Sequence, residues 1–248
     1  MSTIYILWLR QLKRYSRSKS RIIGSIGQPL LFLLALGYGF GPIYQRAGGG
    51  NYIQFLAPGI IAMSVLFTSV FSGIEIIWDK QFGFLKETLV APVSRMEIMI
   101  GRTFGGATVA LLQGVIVFLI SLAVGFRPEN WLLFPVALVF MFLIALLFTA
   151  LGTAIASVLE DMQGFQLIMN FLVMPIFFLS GALFPFQGLP KAITIIGSLN
   201  PLAYGVDGLR GTLIDMTHFG LHVDLYILAI VTLLLLIVGN YLFSKIQI

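Results

Sequence analysis

The chain has 248 residues, 58% of them hydrophobic and only 10% charged, with a mean hydropathy of +0.99. A soluble domain carries about 25% charged residues, so a water-soluble enzyme and a disordered chain are both excluded. The absence of cysteine removes disulfides, thiolate zinc sites, Cys-ligated iron–sulfur clusters and cysteine nucleophiles. The net charge of +5 lies beside apolar runs, which points to lipid headgroups rather than nucleic acid.

Residues 2–21 come first. Ile4, Leu7, Trp8, Leu12 and Tyr15 recur at three- and four-residue spacing opposite Arg10, Lys13, Arg14 and Arg17. This pattern predicts an amphipathic helix on the membrane surface, with Trp8 and Tyr15 suited to the headgroup layer. It serves either as an anchor to anionic lipid or as a lever joining the first span to a partner. The apolar run after it is too long for a signal-peptide core, so the first span is expected to be retained.

Spanning about 30 Å of hydrocarbon takes roughly 20 apolar residues of helix. Six stretches without Asp, Glu, Lys or Arg are long enough: 22–45, 47–74, 103–126, 130–159, 162–190 and 225–244. A seventh, 192–206, has only fifteen residues and contains Gly197 and Asn200-Pro201, so it reads as part of a re-entrant piece. None shows the alternation of an outer-membrane barrel strand. The expected fold is an all-α membrane protein: six transmembrane helices, an interfacial N-terminal helix, and short external helices before the last span.

Short basic segments set orientation. Arg10, Lys13, Arg14, Arg17, Lys19, Arg21, Lys80, Lys86, Arg95, Arg102 and Lys245 fall on one side, against Arg46, Arg127, Lys191 and Arg210 on the other. Both termini are therefore expected in the cytoplasm.

The loop 79–102 is too long for a minimal connection. Phe84, Leu85, Thr88 and Leu89 share one face of a short helix that Pro92 stops, with Lys86 and Glu87 on another. Ser94 and Glu97 form a capping box for a helix that begins at Arg95 and runs into the third span. The apolar ridge either folds back on the bundle or docks in a groove of a partner. Glu75 and Asp79, one turn apart at the end of the second span, are read as partners of Arg10, Arg14 and Arg102, with a proton pathway as the alternative.

Phe84-Leu85-Lys86-Glu87-Thr88-Leu89-Val90-Ala91-Pro92-Val93-Ser94-Arg95 is similar to the loop of ABC-transporter permeases of the type-2 exporter class. Ser180-Gly181-Ala182-Leu183-Phe184-Pro185, then Leu189-Pro190 and the run from Asn200 to Arg210, resemble that family's element before the last span, in daunorubicin-resistance-type and nodulation-type permeases. The resemblance covers nearly the whole chain, as one transmembrane domain over 1–248. It implies the membrane half of an ATP-driven exporter, with two permease copies and two cytosolic ATPase subunits in the plasma membrane. Residues 79–102 would be the coupling loop, with Phe82, Phe84, Leu85, Lys86, Glu87, Thr88, Pro92 and Arg95 meeting the ATPase. Residues 1–21 would be the connecting helix, and 187–210 external re-entrant helices with Asn200, Pro201, Tyr204, Asp207 and Arg210 at the exit.

The second and fifth spans would line the route. Met63, Phe67 and Phe71 on one, and Met169, Asn170 and Phe177 on the other, suit a hydrophobic or amphiphilic cargo; aromatic stripes of this kind otherwise serve packing or lipid contact. Asp207 and Arg210, three apart, allow an ion pair that staples the segment or gates the exit. Gly101 and Gly105, with Gly106 and Ala110, allow close helix approach.

The chain has no Gly-Lys dipeptide and hence no phosphate loop. No cofactor is expected on it, and ATP and Mg belong to the partner. Gly48-Gly49-Gly50 reads as a loop tip, and His218 and His222 as part of a solvated loop rather than a metal site. A rival of another class is a carrier driven by an ion gradient, whose signature would be inverted repeats and mid-membrane acids.

Overall fold

The computed structural model describes residues 2–90 and 92–246, with the side chains of Arg21, Lys86 and Leu89 outside that description. The helices are α1 (Thr3–Arg17), α2 (Lys19–Arg46), α3 (Tyr52–Ser72), α4 (Ile74–Gln81), α5 (Phe84–Val90), α6 (Arg95–Val124), α7 (Phe134–Val158), α8 (Met162–Phe178), α9 (Lys191–Ser198), α10 (Pro201–Ile214) and α11 (Leu221–Ser244). No strand occurs among the described residues.

Among the described residues, five helical stretches are long and apolar enough to cross a membrane: Ile22–Arg46, Tyr52–Gln81, Arg95–Val124, Trp131–Val158 and Leu221–Ser244. This is a multi-pass membrane protein. The fifth expected span departs from the sequence reading. Its helix, α8, has 17 residues, about 25 Å at 1.5 Å per residue. The remainder of 162–190 is not a continuation of α8, and Gly181 there turns the chain at φ 74°, a conformation glycine adopts without steric cost.

The second span is interrupted at Gly73, between α3 and α4. A Cβ at Gly73 would run into the backbone of Gly152 on α7, and one at Gly152 into the Val70 carbonyl. Two glycines thus let the backbones cross in contact, as small residues do where lipid supplies no hydrophobic drive. α3 sits at the centre of the bundle, packed by α2, α6, α7 and α10. Its residues from Phe55 to Leu66 are buried.

α1 is amphipathic as the pattern predicts, and its apolar face is shared with protein: Leu7 and Tyr15 are buried, whereas Ile4, Trp8 and Leu12 are half-buried. It lies along α6, with Ile4 and Leu7 over Gly101 and Trp8 and Gln11 over Gly105. The Trp8 indole donates to Thr108 Oγ1 at 3.0 Å, and the Tyr15 hydroxyl to Gln113 Oε1 at 2.6 Å. The glycines do allow close approach, but the neighbour of Gly101 and Gly105 is α1. Gly106 instead faces Ser72 and Thr149.

The short helices before the last span form as the Asn200-Pro201 break predicts. Asn200 caps α10 by accepting from Leu202 N at 3.0 Å, and Pro201 stands in the first turn. α10 runs past residue 210 to Ile214, and every residue from Leu202 to Ile214 is buried among α3, α7 and α11.

Candidate functional site

Most of the basic residues gather at one end of the bundle, around α1, α4, α5 and the start of α6. Ser94 caps α6 in a full capping box with Glu97, so α6 starts where the sequence predicts. Asp79 accepts from Arg102, a buried pair, and from the more exposed Arg10 at 3.4 Å. Glu75 faces Arg14 at 3.5 Å. All three arginines meet the two carboxylates that the sequence reading assigned to them. Buried acids so close to lipid need such partners.

Two further basic side chains close helix ends. Lys80 Nζ donates to the carbonyls of Ala156, Ser157 and Leu159 at 3.1, 2.7 and 3.1 Å, at the end of α7. Arg95 donates to the carbonyls of Ser244 and Ile246, the latter at 2.8 Å, at the end of α11. The last carbonyls of a helix lack internal partners and carry partial negative charge, so a cation there satisfies both needs. α5 is consequently held between two residues that grip α7 and α11. Sequence reasoning missed both grips, because helix-end carbonyls leave no side-chain signature.

The ridge on α5 divides. Leu85 turns into the core at 3% exposed, whereas Phe82 and Phe84 stay 65% and 52% exposed and Val90 82%. Thr88 bonds back to the Phe84 carbonyl at 3.0 Å, Glu87 and Pro92 are exposed, and Ala91 lies outside the described residues. So part of the ridge folds back and part remains available. A cavity of about 1030 Å³ opens beside it, with Arg10, Lys13, Arg14 and Arg17 on one wall and Phe82 and Phe84 on the other.

At the opposite end Asp207 and Arg210 do not form the contact expected from their spacing. Asp207 accepts from the backbone N–H of His218 and Phe219 at 2.8 Å. Arg210 donates to the carbonyls of Phe55 at 3.3 Å and Ala182 at 2.9 Å, and its guanidinium lies 3.7 Å from the Phe55 ring centroid. Asp207 thus turns to N–H groups of the loop after α10, and Arg210 to one carbonyl on α3 and one in the 180–185 segment. Tyr204 donates to the Ser198 carbonyl at 2.7 Å, and Asn200 Nδ2 to the Ile176 carbonyl at 2.6 Å. Tyr52 donates to the Leu183 carbonyl at 3.0 Å. Residues 180–185 are therefore pinned between α3 and α10, and Gly59 lies against the Ala182 backbone. His218 packs its ring near Phe186 and Phe219. Asp224 is fully buried in the first turn of α11, the helix end whose dipole favours negative charge.

The residues expected along a route separate. Met63, Phe67 and Phe71 border a cavity against α2. Met169 and Phe177 pack into the core at 0% and 1% exposed, and Asn170 lies on the open face of α8 beside Phe171. Their spacing on α8 marks its inner and outer faces, not one wall.

The ABC-2 type transporter family matches residues 2–214. The chain belongs to that family. A transport permease, ycf38, of Cyanophora paradoxa is 28% identical over 261 residues, covering 98% of this chain and 88% of its own. Nodulation protein J of Rhizobium leguminosarum bv. viciae is 27% identical over 230 residues, covering 91% and 88%. The ycf38 permease of Pyropia yezoensis is 32% identical over 200 residues, 78% of this chain and 68% of its own. As an ABC-2 permease the chain is the membrane subunit of an ABC transporter, not its ATPase.

Proposed function

We propose that this permease works as a homodimer in the plasma membrane, with both termini cytoplasmic, and exports a hydrophobic or amphiphilic molecule using ATP and Mg bound by a cytosolic ATPase subunit. The observation that carries the reading is the half-exposed α5. Phe82 and Phe84 face the large basic cavity while Leu85 anchors the helix from below. The ATPase would seat on Phe82, Phe84, Lys86 and Glu87. A push there passes through Lys80 to α7 and through Arg95 to α11, the helices that enclose α10 and the exit residues Asn200, Pro201, Tyr204, Asp207 and Arg210. ATP binding thereby acquires differential contacts in two states, which a transport cycle requires.

The rival ion-gradient carrier loses its proton relay, since Glu75 and Asp79 face arginines. Purification of the tagged chain from its host membranes in mild detergent tests the proposal. A co-purifying ATPase whose capture is lost on Phe84→Asp, and whose transport is uncoupled by Glu87→Lys with insertion unchanged, is the expected result. Transport that survives both substitutions overturns the assignment of α5.

A further inference from the structure

Lys13, Arg14, Arg17 and Lys19 follow one another across the junction of α1 and α2, with no acid among residues 13–20. Arg10 and Arg14 reach Asp79 and Glu75. Lys13, Arg17 and Lys19 meet no acidic partner among the described residues, and no side chain outside that description is acidic.

The start of α2 adds donors of another kind. Ser18 is its N-cap, yet the hydroxyl makes no capping bond, and the first turn holds no acid. The serine, asparagine and aspartate caps of α1, α3, α6, α8 and α10 all accept from a first-turn N–H. The positive dipole end of α2 is therefore left without the acceptor its cap could have supplied. A helix end of this kind attracts phosphate.

These groups open onto one space. Lys13, Arg17, Ser18, Lys19 and Ser20 are all at least partly exposed and line the cavity of about 1030 Å³, where Ile6, Leu9 and Trp78 add apolar surface. Its level follows from the spans. Lys19 stands three residues before Ile22, and Trp78 three before Gln81, about 5 Å in each case. The cavity thus lies in the layer where lipid head groups meet water. Cations beside apolar surface at that depth match an amphiphile with an anionic head, and guanidinium forks match phosphate oxygens. The seat proposed for the ATPase is on α5, which leaves the α1–α2 wall to lipid.

We propose that the α1–α2 wall of this cavity binds the phosphate head of an anionic lipid from the adjoining leaflet. Arg102 also holds Asp79, so Arg10 can turn to the phosphate without leaving that carboxylate unpaired. The assignment goes beyond the transport reading and does not depend on it.

The three tryptophans allow a direct test. Trp8→Phe with Trp131→Phe leaves Trp78, which is 42% exposed and lines the cavity. Trp8→Phe with Trp78→Phe leaves Trp131, at the far end of the α7 span, as control. The full permease is placed in phosphatidylcholine vesicles with rising fractions of chain-brominated phosphatidylglycerol or chain-brominated phosphatidylcholine, whose bromines quench nearby tryptophan. The expected result is half-maximal quenching of Trp78 at about tenfold less phosphatidylglycerol than phosphatidylcholine. Lys13→Gln with Arg17→Gln should shrink that preference to about twofold or less, Trp131 should show none, and millimolar glycerol phosphate should leave it unchanged. Equal quenching by the two lipids, or the same preference at Trp131, would mean general attraction to a basic chain and overturn the proposal. Relief by glycerol phosphate would assign the wall to free phosphate. Loss of quenching in the complex with the co-purified ATPase would assign it to a protein contact. Both overturn it too. Native mass spectrometry of the unaltered permease checks the same preference without touching a tryptophan. It should retain phosphatidylglycerol over phosphatidylcholine, and no excess would again overturn the site.

Discussion

The two ends of the bundle hold their charges in different ways. At the basic end carboxylates meet arginines: Asp79 has Arg102 and Arg10, and Glu75 has Arg14. At the other end Asp207 and Arg210 meet backbone, the acid taking N–H groups and the arginine taking carbonyls. Ion pairs between flexible side chains can exchange partners as helices shift, and Arg10 is partly exposed to do so. Bonds to fixed backbone groups break only when a loop moves as a whole. Under the proposed transport cycle the first arrangement would suit a region that receives a push, and the second a segment that moves as a unit.

The largest effect should come from Asp79→Asn, which leaves Arg102 buried without its partner and costs about 3–5 kcal/mol. Thermal unfolding in detergent would read it as a large fall in midpoint. The double change Asp79→Asn with Arg102→Met should recover most of that loss, because the uncompensated buried charge is gone. If the single change were neutral, the basic end would not depend on this pair.

Arg210→Met comes next, at about 1–3 kcal/mol for carbonyls left unsatisfied. Limited proteolysis of the 180–190 segment should become faster, since the Ala182 carbonyl loses its hold. If Asp207→Asn accelerated proteolysis equally at the same place, the 180–190 segment would rest on mutual attraction between Asp207 and Arg210 after all.

Lys80→Met should cost about 1–2 kcal/mol by uncapping α7, and transport should fall further than stability because the grip on α7 is also lost. Equal falls would assign Lys80 a purely structural part. Phe84→Asp should change the midpoint least, within about 0.5 kcal/mol for an exposed position, while abolishing ATPase capture. That last pairing separates the two ends most sharply: large stability effects from buried ions, a large functional effect from an exposed ring.

What the sequence determined by itself is local. The apolar runs other than 162–190, the Ser94–Glu97 box, the short helix at Phe84 and the break at Asn200-Pro201 all act within a few turns, and each stands where its residues predict. The family resemblance was legible for the same reason, since its two motifs are contiguous. Arg10, Arg14 and Arg102 could be matched to Glu75 and Asp79 because buried acids require bases and few stood close by. Tertiary structure alone decided where long-range partners lie. Lys80 finds α7, Arg95 finds α11, and Arg210 finds Ala182 across separations that periodicity cannot encode. It also decided that α1 packs on α6 and that Met169 and Phe177 are core. Helices form from neighbours within a turn, but the faces they share are chosen by backbones that glycines allow to touch.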